Sequence, residues 1–226
     1  MNSTEDLTSY AARLGESEFA ARMDREQRTR EQHGKGQGGR SIFRFEHKVN
    51  IYSCIKFCLK FSGFWNRAVR NYFDIQVEHN TVYLSELPAD FDGYTILQLS
   101  DLHTDLHPDF SARVKEVIAP LEYDCMALTG DYRTATFGDH SGATAATIDI
   151  VSDIRKPKYG ILGNHDSLAK VPAMEVAGIR FLLNEHVVLR RGEAELYLIG
   201  IDDPNFYKTH SFERALRGVP EAATKL

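Results

Sequence analysis

The chain has 226 residues, 42% of them hydrophobic, enough to bury a substantial core in one α/β domain with appendages. Its 27 basic and 32 acidic residues give a formal net charge of -5, which argues against a general nucleic-acid binder. Cys54, Cys58 and Cys125 are odd in number and lack metal-type pair spacing, which argues against a disulfide framework and for a reducing compartment.

Residues 1–40 are polar and charge-balanced, and they end in Gly34, Gly36, Gly38 and Gly39, a composition that reads as a disordered polar tail. No apolar middle or cleavage site marks a secretory signal, so a cytoplasmic location is expected. Residues 41–75 read as a basic amphipathic helical segment. Ile55, Phe57, Leu59, Phe61, Phe64 and Trp65 crowd together, while Lys56, Lys60, Arg67 and Arg70 recur on one helical stripe. Two placements fit this pattern. The helix either lies on an anionic membrane surface, touching it through Lys56, Lys60, Trp65, Arg67 and Arg70 and holding the protein on the inner face, or it docks on the domain's own core. The charges come too often for a membrane span.

Residues 76–226 read as the main domain. Residues 75–84 alternate apolar and polar side chains around His79-Asn80, which predicts an edge hairpin. The strand-like run 95–99 delivers Asp101 and His103; while the chain stays extended they point the same way and can share one ion. Asp105, His107 and Asp109 read as a solvated turn before a helix over 110–121. A second strand, 125–129, ends in Gly130-Asp131, where glycine permits a tight turn and close approach. A loop over 134–142 and a helix over 143–155 return the chain to a third strand, 159–162, which ends in Gly163-Asn164-His165-Asp166. Open α/β sheets bind ligands at such strand ends, and the clusters recur at steps of about thirty residues, the size of a βα repeat.

The ordered set Asp101-x-His103, Gly130-Asp131 and Gly163-Asn164-His165-Asp166 resembles the calcineurin-like metallophosphoesterases over residues 94–206. With the basic leader, it is also similar to the bacterial membrane-associated branch. The resemblance implies an α/β (α+β) fold in which a two-sheet β-sandwich is flanked by helices, with two divalent ions (manganese, iron or zinc) at the strand ends. It further implies that Asp101 and His103 bind the first ion, Asp131 bridges both and Asn164 binds the second. His165 then contacts the phosphate and assists the leaving group, and Asp166 orients His165. The expected reaction is hydrolysis of a phosphomonoester or phosphodiester, lipid-linked or nucleotide, by a hydroxide activated between the ions. Such an ion pair, about 3.5–4 Å apart, acidifies bound water and stabilises charge on both the entering and leaving oxygens.

Further on, 180–189 and 195–201 read as two strands joined by Arg191-Gly192-Glu193, followed by a helix over 211–217 and an approach to another strand at 221–226. The family's later lone His and Gly-His-x-His do not follow. The chain therefore reads as a β-sandwich incomplete at its C-terminus, with the second ion left to Asp131 and Asn164 unless His140, Asp202, Asp203 or His210 substitutes. Two alternatives stand beside hydrolysis: a non-catalytic metal-binding or membrane-docked scaffold of the same fold, and a nucleic-acid phosphodiesterase, for which only Arg133, Arg155, Lys156 and Lys158 lie near the strand ends.

Overall fold

A computed structural model of the chain describes residues 7–34 and 51–226. The glycine-rich stretch after Gly34 and the start of the 41–75 segment lie outside the described residues. Among the described residues the α-helices Ala11–Leu14 (α1), Glu16–Gly34 (α2), Ile51–Phe61 (α3) and Trp65–Phe73 (α4) come first. Then follow Ile96–Leu99 (β1), Phe110–Ile118 (α5), Cys125–Leu128 (β2), Ser141–Val151 (α6), Lys158–Gly160 (β3), Val171–Val176 (α7) and Ile179–Phe181 (β4). Glu185–Arg191 (β5), Ala194–Gly200 (β6) and Phe212–Ala215 (α8) complete the order.

Strands β1 to β4 form one parallel sheet in sequential order, and β5 and β6 form an antiparallel hairpin turned at Gly192. Parallel strands need crossover helices, which α5, α6 and α7 supply. Strands β1 and β2 turn Leu97, Leu99, Met126 and Leu128 toward those helices, where Val114, Ile118, Ile150 and Met174 close the main core. On the other side of the sheet, Tyr159 and Ile161 meet Leu182, Val187, Leu189 and Leu196 in a second core beneath the hairpin. Each fully buried aliphatic side chain contributes about 1.5–3 kcal/mol. The fold is thus mixed α/β, two β-layers with helices outside, as the resemblance implied. The last residues run parallel to β6: Tyr197 N donates to Thr224 O at 3.0 Å and Leu226 N to Tyr197 O at 2.8 Å.

Several elements depart from the sequence expectation. Residues 7–34 are helical rather than a disordered tail, because Tyr10, Ala11 and Leu14 bury apolar surface and the charged groups of α2 find partners inside the domain. The stretch 75–84 forms no strand among the described residues. Ile75 packs on the main core, but Val82 and Tyr83 are 67% and 91% exposed, so the second half of the segment has no covered face to hold a hairpin together. The single strand expected over 180–189 is broken at Asn184, which has φ 56° and a side chain committed to four backbone groups. Its first part becomes β4, the fourth strand of the parallel sheet.

The basic segment bends at Gly63, and Lys56 and Lys60 both lie over the Trp65 ring, 5.3 and 5.5 Å from its centroid. Its two ends behave differently. Tyr72 packs on Phe110 at 4.5 Å and Phe73 on His107 at 4.8 Å, docking α4 on the domain, whereas Ile55, Phe57, Phe61 and Phe64 are exposed.

Candidate metal centre

The strand register sets Leu99, Leu128 and Gly160 in one row across the sheet, so the loops after β1, β2 and β3 leave from the same edge. Those loops carry Asp101 and His103, then Asp131, then Asn164, His165 and Asp166. Backbone hydrogen bonds tie the first two together: Asp101 N to Gly130 O at 3.2 Å and His103 N to Asp131 O at 3.1 Å. The second and third touch through glycines. A Cβ on Gly130, whose φ is 95°, would stand 2.4 Å from Gly163 N, and one on Gly163 would stand 2.2 Å from Asp131 Oδ1. No side chain fits in that gap.

Asp101, His103 and Asp131 all adopt left-handed backbone, with φ of 52°, 40° and 54°. Such a conformation costs about 1–3 kcal/mol per non-glycine residue and persists where the surroundings impose it, commonly at functional sites. The three residues each offer one ligand atom, and these atoms lie within 4.8 Å of one another. His103 Nδ1–H donates to the Arg133 carbonyl at 2.8 Å, which leaves the Nε2 lone pair free, 4.0 Å from Asp101 Oδ1. Burial raises the Asp131 carboxyl above the usual range, against a hydrogen bond from the His165 amide that works to lower it. A cation beside it would favour the ionised form. Two hard carboxylates and an imidazole suit manganese, iron or zinc, so the donor set fits one divalent ion.

Asn164 lines a cleft of about 270 Å³ together with Asp101, Asp131, Asp202 and Asp203. The His165 ring stands edge-on to His103 with centroids 5.5 Å apart, and its Nδ1 is buried without a hydrogen-bond partner among the described residues. Asp166 does not play the part expected of it. Its buried carboxylate accepts the amides of Asp131 at 2.7 Å, Tyr132 at 3.2 Å and Gly163 at 3.0 Å, and it pairs with the buried Lys170 ammonium. Those contacts hold two loops together and leave His165 Nδ1 unassisted.

The proposed substitutes for the second ion are mostly committed elsewhere. Asp202 pairs with Arg22 and accepts from the Thr209 hydroxyl at 2.6 Å. Asp203 Oδ2 accepts the Tyr207 amide at 2.6 Å, His140 lies against Thr144 at 3.2 Å, and His210 is exposed beside Phe212. Other supports escaped sequence reasoning. Arg133, 2% exposed, donates to the carbonyls of His165 at 2.8 Å and Gly138 at 3.0 Å. Asp105 is an exposed turn residue as expected, and its carboxylate also anchors the next loop, accepting Thr134 N at 2.9 Å and the Thr134 hydroxyl at 2.8 Å. The only trace of such contacts in the sequence is the i, i+4 spacing of Asp166 and Lys170.

The family model described as calcineurin-like phosphoesterase matches residues 94–215, which contain all of these loops. The chain belongs to that family. It is also 31% identical over 160 residues to YkoQ, an uncharacterized metallophosphoesterase of Bacillus subtilis (strain 168), a match covering 64% of this chain and 56% of that protein. The chain thus spans little more than half the length of that relative. The matched region contains the cluster of Asp101, His103 and Asp131 at the strand ends, a group able to hold a metal ion.

Proposed function

We propose that the chain is a metal-dependent hydrolase of phosphomonoesters or phosphodiesters that works with two divalent ions, manganese, iron or zinc. The observation that carries this reading is the convergence of Asp101, His103 and Asp131 within 4.8 Å at the ends of two neighbouring strands. Asp101 and His103 hold the first ion, Asp131 reaches both, and Asn164 on the cleft wall serves the second. When bound, the ions supply charge neutralisation at the phosphoryl oxygens and an acidified water. His165, with a buried and unpartnered Nδ1 beside the cluster, contacts the phosphate and eases departure of the leaving group. Asp166, Arg133 and Lys170 keep the loops in register.

The non-catalytic reading is favoured by one observation: Asp202 on the cleft wall is held by Arg22, leaving the second ion few protein ligands. Elemental mass spectrometry of the purified chain with manganese-dependent hydrolysis of an aryl phosphodiester separates the two. Bound metal and turnover that both disappear in Asp131→Asn support the enzyme; bound metal without turnover supports the scaffold.

We further propose that the protein rests peripherally on an anionic membrane, where a lipid-linked phosphate is its substrate. Supporting this are the exposed Ile55, Phe57, Phe61 and Phe64 beside the exposed cations Lys56, Lys60, Arg67 and Arg70. Among the described residues no helix is long and apolar enough to cross a membrane. Co-sedimentation with anionic vesicles that falls when the four cations become glutamine supports the docking; equal sedimentation of both forms contradicts it.

A further inference from the structure

The side chain of Arg22 is completely buried, yet it lies in the helix whose composition reads as solvated tail. Its Nε donates to Glu26 Oε1 at 3.1 Å, one terminal nitrogen pairs with Asp202, and the other donates to the Asp166 carbonyl at 2.7 Å. The guanidinium also stacks on Tyr207, 4.0 Å from the ring centroid. Glu26 in turn accepts the Leu168 amide at 2.8 Å. Helix α2 therefore grips the segment 166–168 at its carbonyl and amide ends and reaches Asp202 on the cleft wall. The same segment carries the Asp166 carboxylate that receives the Asp131 amide, and the neighbouring His165 amide donates to Asp131 Oδ1 at 3.0 Å. Two hydrogen-bond steps thus connect α2 to a candidate ligand.

We infer that Arg22 and Glu26 are positioning residues of the metal centre, through which α2 sets the placement of the Asn164–Asp166 loop and of Asp131 relative to Asp101 and His103. The inference rests on the metal-centre reading given under Proposed function. Two physical arguments support it. A buried ion cluster contributes little net stability compared with apolar residues of the same size, so its retention beside a cleft points to a geometric role. A guanidinium fork presents donors at fixed angles to several acceptors at once, which an ammonium cannot do. Burial opposes the Arg22 charge, and Asp202 and Glu26 more than offset it, so the group is cationic throughout the working pH range.

The test is manganese(II) binding to the full chain, followed by electron paramagnetic resonance at low temperature, for wild type, Arg22→Met, Arg22→Lys and Glu26→Gln. Arg28→Ala, which removes an exposed pair with Asp24, serves as control. Loss of an outer-shell partner typically weakens metal binding about 10–100-fold. The expected result is a loss in that range for Arg22→Met and Glu26→Gln, partial recovery in Arg22→Lys, a changed line shape, and no change in the control. Variants that melt earlier but bind with wild-type affinity and line shape while folded would overturn the inference and leave the metal centre standing. Should Arg22→Met fail to fold, Glu26→Gln decides by the same criterion. A folded wild-type chain that binds no manganese(II) overturns the centre and the inference together.

Discussion

Replacing Asp166 by asparagine removes one negative charge from a fully buried position and changes almost no volume. In the folded chain that carboxylate accepts three amides, from Asp131, Tyr132 and Gly163, and pairs with Lys170, which is equally buried. Burial already lowers the Lys170 pKa, with Asp166 working against the shift. Breaking a buried pair by removing one partner costs about 3–5 kcal/mol. Asparagine must also turn an NH2 group toward an amide or the ammonium, both of which are donors. Domain stability is about 5–15 kcal/mol, so Asp166→Asn should remove a large fraction of it. At about 1–3 kcal/mol per molar urea, the unfolding midpoint falls by at least about 1 M. Urea titrations followed by far-UV circular dichroism measure it. Lys170→Met combined with Asp166→Asn should recover part of the loss, because no buried charge is then left alone. A loss below about 1 kcal/mol, with folding intact and turnover reduced, would refute the reasoning and make Asp166 a partner of His165 after all.

Gly163→Ala places a methyl group 2.2 Å from Asp131 Oδ1, so the two loops must part; lower stability and weaker metal binding are expected together, measured by thermal melting and calorimetric titration with manganese(II). Tyr72, whose hydroxyl donates to the His103 carbonyl at 3.3 Å, has its pKa pushed up to about 12 by burial first and by the Asp105 charge second. The folded chain then keeps a proton that the unfolded chain releases near 10, so Tyr72 makes stability fall as pH rises from about 10 to 12. Tyr72→Phe should show a shallower fall in that window in denaturant titrations at several pH values.

The parts of the site carried by short-range pattern were legible in the sequence. Asp101, His103, Asp131 and Asn164 follow apolar runs that become register-aligned strands, so their common edge follows from strand polarity and the βα repeat. The parts that depend on distant partners were not. Arg22 and Glu26 look like solvated charges until Asp166, Leu168 and Asp202, more than 140 positions away in sequence, close around them. The break at Asn184 was hidden for the same reason, since its side chain answers to Leu14, Asp202, Thr209 and Ser211. Alternation over 75–84 predicted strands without revealing that no face would cover Val82 and Tyr83. Asp166 sits in the motif as expected, and only its carboxylate contacts show that it fastens loops instead of steering His165.

The metal centre is tested most directly by counting tightly bound transition-metal ions per chain by elemental mass spectrometry, in wild type and in Asp131→Asn. Asp131 is the ligand proposed to be common to both ions, and the variant keeps its shape while losing its charge. The expected result is bound metal in the wild-type chain, a marked loss in folded Asp131→Asn, and manganese-dependent phosphodiester hydrolysis that follows the metal content. Equal metal in both proteins, or none in a folded wild type supplied with manganese, would contradict it.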